Sequence, residues 1–593
     1  MASSLRPIWI ALGAVSIGFH LWLIFSGLIP NLISRPLHMA LALPWALIFV
    51  AKTRAGVISG IALGVPGLAA TLWVALSHEA LSDQYGFLEG NFQLTIAIVL
   101  LVTVLEMARR SIGWPLPMVA AAALAYGMLG HLIPGEFGHS GPPLGSFLGA
   151  LTIAEGGLWG QLTGVSVSIV AIFVIFGAIL NAGEAGQGFM NLAGAAAGRL
   201  KGGAAKVSVL SSAFFGSISG SASANVASTG AITLPAMRKL GYPRAFAGAV
   251  EAVASSGGQI MPPLMGAGAF VMVELTGVPY EGIMAAALLP ALLYFAAVCV
   301  GINAFATRYE LKGLPPEDRP TPRDVIITAA FFAVPFTVLL WAMFVGTSGR
   351  GFTPQFAAYL AIIAAAALLL IDGKGRFDVR RARGRIADAC LNAGKQVAMI
   401  ASIILCASII IGILGITGLG VKITSLILSG SGGALWPALL LTAGACLLLG
   451  MEVPTTAAYV ICVSIAGPAL IDLGLAPLQA HLFVFWFALL STITPPVCGA
   501  VFIAAGMVEE NWLKVAGAAM ALGLGLYLIP LAMVAHPDLI ALGDTPRAAL
   551  IAMGQVLVGL ACLSWGIIAH AFIGLRVALG IGGLALLLWP ALL

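Results

Sequence analysis

The sequence predicts an all-α polytopic membrane protein built from two inverted repeats, each containing a re-entrant helical hairpin. Three observations carry that expectation. Of the 593 residues 60% are apolar and only 9% charged, with 73 glycines, a balance found in membrane proteins rather than in soluble cores. A six-residue signature occurs twice, as Pro262-Pro263-Leu264-Met265-Gly266-Ala267 and Pro495-Pro496-Val497-Cys498-Gly499-Ala500. At nearly the same offset upstream of each copy stand Pro235-Ala236-Met237 and Pro468-Ala469-Leu470. Finally, the basic residues fall into short loops that alternate with loops lacking them, the pattern of a chain threaded with its positive loops inside.

Taken in order, the apolar runs allow roughly fifteen crossings at about 20 residues each. The first, 8–28, follows a single Arg6 and has no small-residue cleavage site after it, so it reads as a retained helix. Further spans are expected at 57–77, 92–112, 283–307, 325–347 and 512–536. Lys52 and Arg54, Arg109 and Arg110, then Arg199, Lys201 and Lys206 mark inner loops. The segments 78–91 and 131–161 carry only acidic charges among Asp, Glu, Lys and Arg and mark the outside. This places the N-terminus in the cytoplasm. Basic residues flank 207–237 on both sides, so that stretch reads as a hairpin that dips in and returns. Such a turn is tolerated only where it is buried in protein or lines a cavity. The loops 308–323 and 374–385 are again basic and inner. The run 392–417 leaves from the second of them, and 435–471, without Lys or Arg near its ends, is the corresponding hairpin entered from the other side. The expected units are 1–160, a first repeat 161–307, connecting spans 308–391, a second repeat 392–536 and an appended helical pair 537–593. Repeats with broken, polar-cored helices at matching positions point to the binding site of a secondary transporter.

The hairpin tips carry the chemistry. The first reads Gly216-Ser217-Ile218-Ser219-Gly220-Ser221-Ala222-Ser223-Ala224-Asn225, offering hydroxyl and amide oxygens where an unsatisfied polar group is costly. The second reads Gly450-Met451-Glu452-Val453-Pro454-Thr455-Thr456, in which proline breaks the helix and frees carbonyls for a cation and amides for an anion. Four carboxylates lie in or beside apolar runs. Glu106 is expected to pair with Arg109 and Arg110, Glu274 sits near the outer end of its span, and Glu251, just past Arg244, reads as structurally partnered. Glu452, at the second tip, is the candidate to bind a cation or to carry a proton.

These residues resemble those of a known family. GSISGSASANVASTGAITLPAM in the first hairpin, SSGGQIMPPLMGAGAF at 255–270 and GMEVPTTAAY at 450–459 are similar to the membrane subunit of TRAP (tripartite ATP-independent periplasmic) transporters, in the branch called TAXI, with small and large subunits fused. The resemblance covers most of 160–530, while 1–160 resembles the separate small subunit of other members. It implies an elevator, in which a body holding both hairpins slides against a fixed scaffold. It also implies ion-coupled uptake of a small organic acid (a dicarboxylate, keto acid or amino acid such as glutamate), handed over by a periplasmic substrate-binding protein in the inner membrane. Carried onto this chain, the coupling cation, Na+ or H+, would involve Ser217, Ser219, Asn225, Gly450, Pro454 and Thr455, and the substrate would meet Ser219, Ser221, Ser223, Asn225, Gln259, Pro262, Thr455, Thr456, Thr494 and Pro495. Glu452 departs from the small or apolar residue expected there and shifts weight toward proton coupling.

Other classes fit less well. The eight histidines are dispersed, and no HExxH or GxSxG stands in a suitable context, so the sequence does not read as an enzyme. The seven cysteines are scattered singly and read as small buried hydrophobes, with no cofactor implied. The net charge of +5 resides in membrane-flanking loops rather than in a nucleic-acid patch. A monomer is expected. A channel would need identical elements around a pore, whereas the two tips differ, leaving a transporter that needs no binding protein as the nearer alternative.

Overall fold

The computed structural model describes residues 5–346, 351–450, 453–568 and 572–592. Among them the chain is helical throughout, with no β-strand and only an isolated bridge between Ile371 and Phe377. Among the described residues, twelve helices are long and apolar enough to cross a membrane. That is fewer than the roughly fifteen crossings expected, because part of the apolar length lies in shorter helices of 10–17 residues.

The N-terminal region contains α1 (Arg6–Leu23), α2 (Asn31–Pro44), α3 (Arg54–Leu76), the short α4 (His78–Asp83), α5 (Gly90–Ile112), α6 (Pro115–Leu129) and α7 (Leu144–Thr152). As expected, Glu106 is tied at 2.6 Å to both Arg109 and Arg110. Arg110 also donates to the carbonyls of Leu47 and Gly56, at 2.6 and 2.7 Å, so the cluster pins the ends of three helices together. The buried side chains of these helices, Trp45 and Phe147 among them, form one core with residues 398–414.

From residue 161 the same order of elements runs twice. First come α8 (Gln161–Val165), continued through a π turn into α9 (Ala171–Ala182), and the short α10 (Ala185–Ala197). A helical pair follows, α11 (Gly203–Ser219) and α12 (Ala222–Lys239), then α13 (Arg244–Gly257), a break, α14 (Gly266–Thr276) and the long α15 (Tyr280–Arg308). After two connecting helices, α16 (Pro322–Phe344) and α17 (Pro354–Leu368), comes α18 (Val379–Thr417), of 39 residues, then α19 (Leu419–Gly430), a second helical pair α20 (Leu435–Leu449) and α21 (Thr455–Asp472), α22 (Pro477–Leu490), a break, α23 (Gly499–Val508), α24 (Trp512–Leu522) and α25 (Leu524–Ala535). The last two helices, α26 (Pro546–Ile568) and α27 (Ile573–Leu592), pack on each other and against α15 and α25. Helix α18 is the spine. It touches α1, α2, α5 and α6 along one side and α9 and α21 along another, contributing to both hydrophobic cores.

Candidate functional site

The first hairpin turns at Gly220, whose φ of +60° ends α11 in the left-handed conformation that glycine adopts without penalty. Ser221 starts the return, its hydroxyl accepting from the Ala224 amide at 3.3 Å as an N-cap. The hairpin can lie against the break after α13 because glycines face each other. A Cβ on Gly216 would sit 2.5 Å from the Gly258 Cα, and one on Gly220 would sit 3.0 Å from the Gly266 Cα. In the second hairpin α20 is followed by Gly450 and α21 is preceded by Pro454, the residue before its first turn.

Between these tips lies a cavity of about 640 Å³. Its wall brings together the ends of broken helices. Ala222, Gly266, Thr455 and Gly499, the first residues of α12, α14, α21 and α23, all line it. The first turns of α14, α21 and α23 carry no side-chain cap; in α23 the Ala500 amide donates to the Thr492 carbonyl at 3.2 Å, while the amides that open α14 and α21 face the cavity, and the helix dipoles favour a negative charge there. Ser219 and Gly450, at the ends of α11 and α20, contribute the opposite polarity. Among the described residues the lining contains no Lys, Arg, His, Asp or Glu. Val170, Phe173 and Val174 from α9 and its π turn, with Phe270 from α14, form an apolar wall, and Met399, Ile400 and Ile403 from α18 form another.

Of the residues singled out in the sequence, Ser219, Ser221, Ser223, Gln259, Gly450, Pro454, Thr455 and Thr456 line this cavity. The Ser219 hydroxyl is buried and has no partner among the described residues. Ser217 is not on the wall, and its hydroxyl donates to the Phe214 carbonyl at 2.8 Å. Asn225 is fully buried as a bracket between three helices. Its Nδ2 donates to the Ser212 carbonyl at 2.9 Å and the Ser255 carbonyl at 3.4 Å, and its Oδ1 lies 3.3 Å from the Thr229 hydroxyl. Pro262 and Pro495 sit in the breaks, where the backbone turns so that Leu264 and Gly266, or Val497 and Gly499, reach the wall instead. Thr494 bonds back to the Leu490 carbonyl and to Tyr527, both at 2.7 Å. Glu452 lies outside the described residues.

Two expectations about the carboxylates part ways. Glu274 is exposed near the end of α14, as read. Among the described residues Glu251 has no basic partner. Arg244 instead faces Glu509 at 3.8 Å, and the Glu251 carboxylate is enclosed by serine and threonine hydroxyls. The loop charge of Arg244 stays at the surface, whereas Glu251, two turns further along α13, faces into the hairpin.

The sequence reading missed the far wall. Trp114 and Pro115 at the start of α6, and Gln396, Met399, Ile400 and Ile403 on α18, complete the cavity. Only Gln396, a polar residue just inside an apolar run, carried a signal. The others are ordinary apolar side chains whose role depends on which helix they face.

Comparison with known proteins places this geometry. Residues 99–548 match the family model described as "Tripartite ATP-independent periplasmic transporter, DctM component". The chain is 26% identical over 330 residues to the C4-dicarboxylate TRAP transporter large permease protein DctM of Pseudomonas aeruginosa, covering 55% of this chain and 74% of that one. It is 28% identical over 383 residues to the isethionate TRAP transporter permease protein DctMQ of Oleidesulfovibrio alaskensis, covering 63% and 57%. To the 2,3-diketo-L-gulonate TRAP transporter large permease protein YiaN of Escherichia coli it is 24% identical over 384 residues, covering 64% and 86%. These relatives are named as permeases and not as enzymes. The match begins at residue 99, inside the stretch assigned above to small-subunit-like helices. Two helical pairs that meet at one cavity, within a multi-pass helical protein, are thus the parts of a transporter permease, and the chain belongs to the DctM component family of tripartite ATP-independent periplasmic transporters.

Proposed function

We infer that this chain takes up a small organic acid across the inner membrane, driven by an ion gradient, after a periplasmic binding protein delivers it. The observation that carries this reading is the cavity between the tips. It offers uncapped helix N-termini for a carboxylate and helix C-termini for a cation, without a fixed charge among its described lining residues. A lone anion would enter such a site at a cost, because nothing there neutralises it. Binding a cation beside it removes that cost, which is the physical basis for coupling. The apolar walls favour a substrate that is compact and only partly polar. Relatives named for C4-dicarboxylates and for 2,3-diketo-L-gulonate are consistent with an organic acid.

In this reading both hairpins travel with α13 to α15 and α22 to α25 as one body, sliding as an elevator against a scaffold of the N-terminal helices and α18. The scaffold supplies the Gln396 and Trp114 side of the cavity. Residues 1–160 act as a fused small subunit of the TAXI branch, the N-terminus lies in the cytoplasm, and one chain is the working unit. Sodium bound at the tips is the coupling ion, and proton coupling through Glu452 is the second reading, motivated by its carboxylate at a tip.

The test is uptake by proteoliposomes holding the full chain, with a cognate binding protein, a panel of small carboxylates, and sodium or proton gradients imposed separately. Accumulation that requires both the binding protein and one gradient supports the reading. Uptake without any binding protein overturns its tripartite part, and uptake indifferent to both gradients overturns coupling.

A further inference from the structure

Away from the cavity, a second polar cluster fills the first hairpin. Glu251, with no exposed surface, accepts hydrogen bonds from Ser208 at 2.7 Å and from Thr229 and Thr233, with Ser255 at 3.4 Å and Ser212 at 3.5 Å. No Lys, Arg or His nitrogen lies within 4 Å of it among the described residues. The charged groups on the elements around it are engaged elsewhere or at the surface. On α11, Lys206 donates to Asn303 at 2.7 Å. On α12, Arg238 and Lys239 are exposed. Arg244 of α13 faces Glu509 after α23, and Lys514 of α24 holds Glu510 at 3.3 Å. Glu281 and Arg308 stand at the two ends of α15. Tyr242 presents no hydroxyl to Glu251, and Tyr294 gives its proton to the Val253 carbonyl at 2.7 Å.

Two clefts on the side marked by Arg238 and Lys239 reach this cluster. One, of about 370 Å³, has Thr233 in its wall together with Lys239, Glu317 and Asp318. The other, of about 440 Å³, has Gly230 in its wall, and a Cβ there would meet the Glu251 Cγ at 3.2 Å. Within the cluster, the Ser208, Thr229 and Thr233 hydroxyls stand at hydrogen-bond separation from the carboxylate, the spacing of a hydroxyl cage around a carboxyl group.

We propose that Glu251 is a proton-binding site, loaded through the Thr233 cleft. The step is simple: the carboxylate takes a proton from hydronium in the cleft, an O–H bond forms on Glu251 as one breaks on hydronium, water remains, and the side chain goes from −1 to neutral. The cage serves both states. A carboxylate accepts from the hydroxyls, and a protonated carboxyl donates to one of them once that hydroxyl rotates to accept. A lysine or arginine partner would suit only the anion. Buried ionisable groups in membrane proteins mark proton relays for this reason. That the proton moves with the substrate rests on the transport reading above. The protonation itself does not.

The experiment is pH-dependent infrared difference spectroscopy of the full chain in lipid, comparing wild type with Glu251→Gln. Expected is a carboxylic-acid band that grows as pH falls, is absent in the variant, and is the same in sodium and potassium chloride. Spectra identical in wild type and variant overturn the site, and a band suppressed by sodium converts it into a cation site and overturns the proton. Thr233→Val keeps the carboxylate and removes one of its donors, so the same band should persist at a shifted frequency. This variant decides the matter if Glu251→Gln fails to fold, and an unmoved band overturns the role of the cleft. No uptake is measured, so a failure here is distinct from a failure of the transport assay.

Discussion

The two hairpins share a plan and differ in what fills them. In the first, Ser208, Ser211, Ser212, Ser217, Asn225, Thr229 and Thr233 are all buried; Ser211 and Ser217 bond within α11, and the others hold α11, α12 and α13 together through hydrogen bonds converging on Glu251 and Asn225. In the second, the buried polar side chains on α20 and α21 are Thr442, Thr455 and Tyr459. The Thr442 hydroxyl has no partner, and Tyr459 makes a single bond of 2.8 Å to His481 on α22. Two copies of one architecture have thus settled on different interiors, a hydrogen-bonded one and an apolar one. A satisfied polar network fixes a unique packing, at the risk that losing any member leaves the rest unpaired. An apolar interface tolerates more but specifies less.

That difference is open to direct attack, and the largest effect should come from the bracket. Asn225→Ala removes the two hydrogen bonds donated by its Nδ2, at about 1 kcal/mol each, so about 2 kcal/mol of stability. Tyr459→Phe, in the second hairpin, removes one, for about 1 kcal/mol. Apparent Tm values of the purified full chain would check the ranking. Equal shifts would mean that the network in the first hairpin is ornamental.

Glycine spacing gives the next contrast. A Cβ on Gly216 lies 2.5 Å from the Gly258 Cα and 2.6 Å from the Asn225 Nδ2, so Gly216→Ala must push backbone apart, at about 1–3 kcal/mol. Gly444, in the middle of α20, has nothing within 4 Å of its added Cβ, so Gly444→Ala should stabilise by up to about 1 kcal/mol through helix propensity. The comparison is sharpened if the two substitutions move Tm in opposite directions, and lost if both are neutral.

Much of this was legible in the sequence because it is written in local chemistry. Pro454, Gly220 and Ser221 announce the turns of the hairpins, and the doubled Pro-Pro signature announces the breaks at 258–265 and 491–498. Glu106 beside Arg109 and Arg110 announces a pair at helical spacing. What escaped depends on rotation and packing. Nothing local says that Met399 and Ile403 face a cavity while Leu405 and Ile409 are packed away, or that Glu251 points at hydroxyls rather than at Arg244. Asn225 shows the same limit from the other side. Its amide reads equally well as a ligand or a bracket until its neighbours are known.

The smallest expected effect on stability tests the cavity itself. The Ser219 hydroxyl is buried without a partner among the described residues, so Ser219→Ala gives up no hydrogen bond to them and should leave stability within about 0.5 kcal/mol of wild type. A hydroxyl kept unpaired at the end of α11 makes sense when a solute supplies its partner, and uptake should then fall about tenfold, the loss of one bond of about 1.4 kcal/mol to a charged group. Thr456→Ala repeats the experiment on the second tip, across the same cavity. Loss of uptake in both, with stability unchanged, makes the tips two halves of one site. Loss in the first alone would show that the hairpins differ in function as they do in their interiors, with the second acting as a wall against which the first binds.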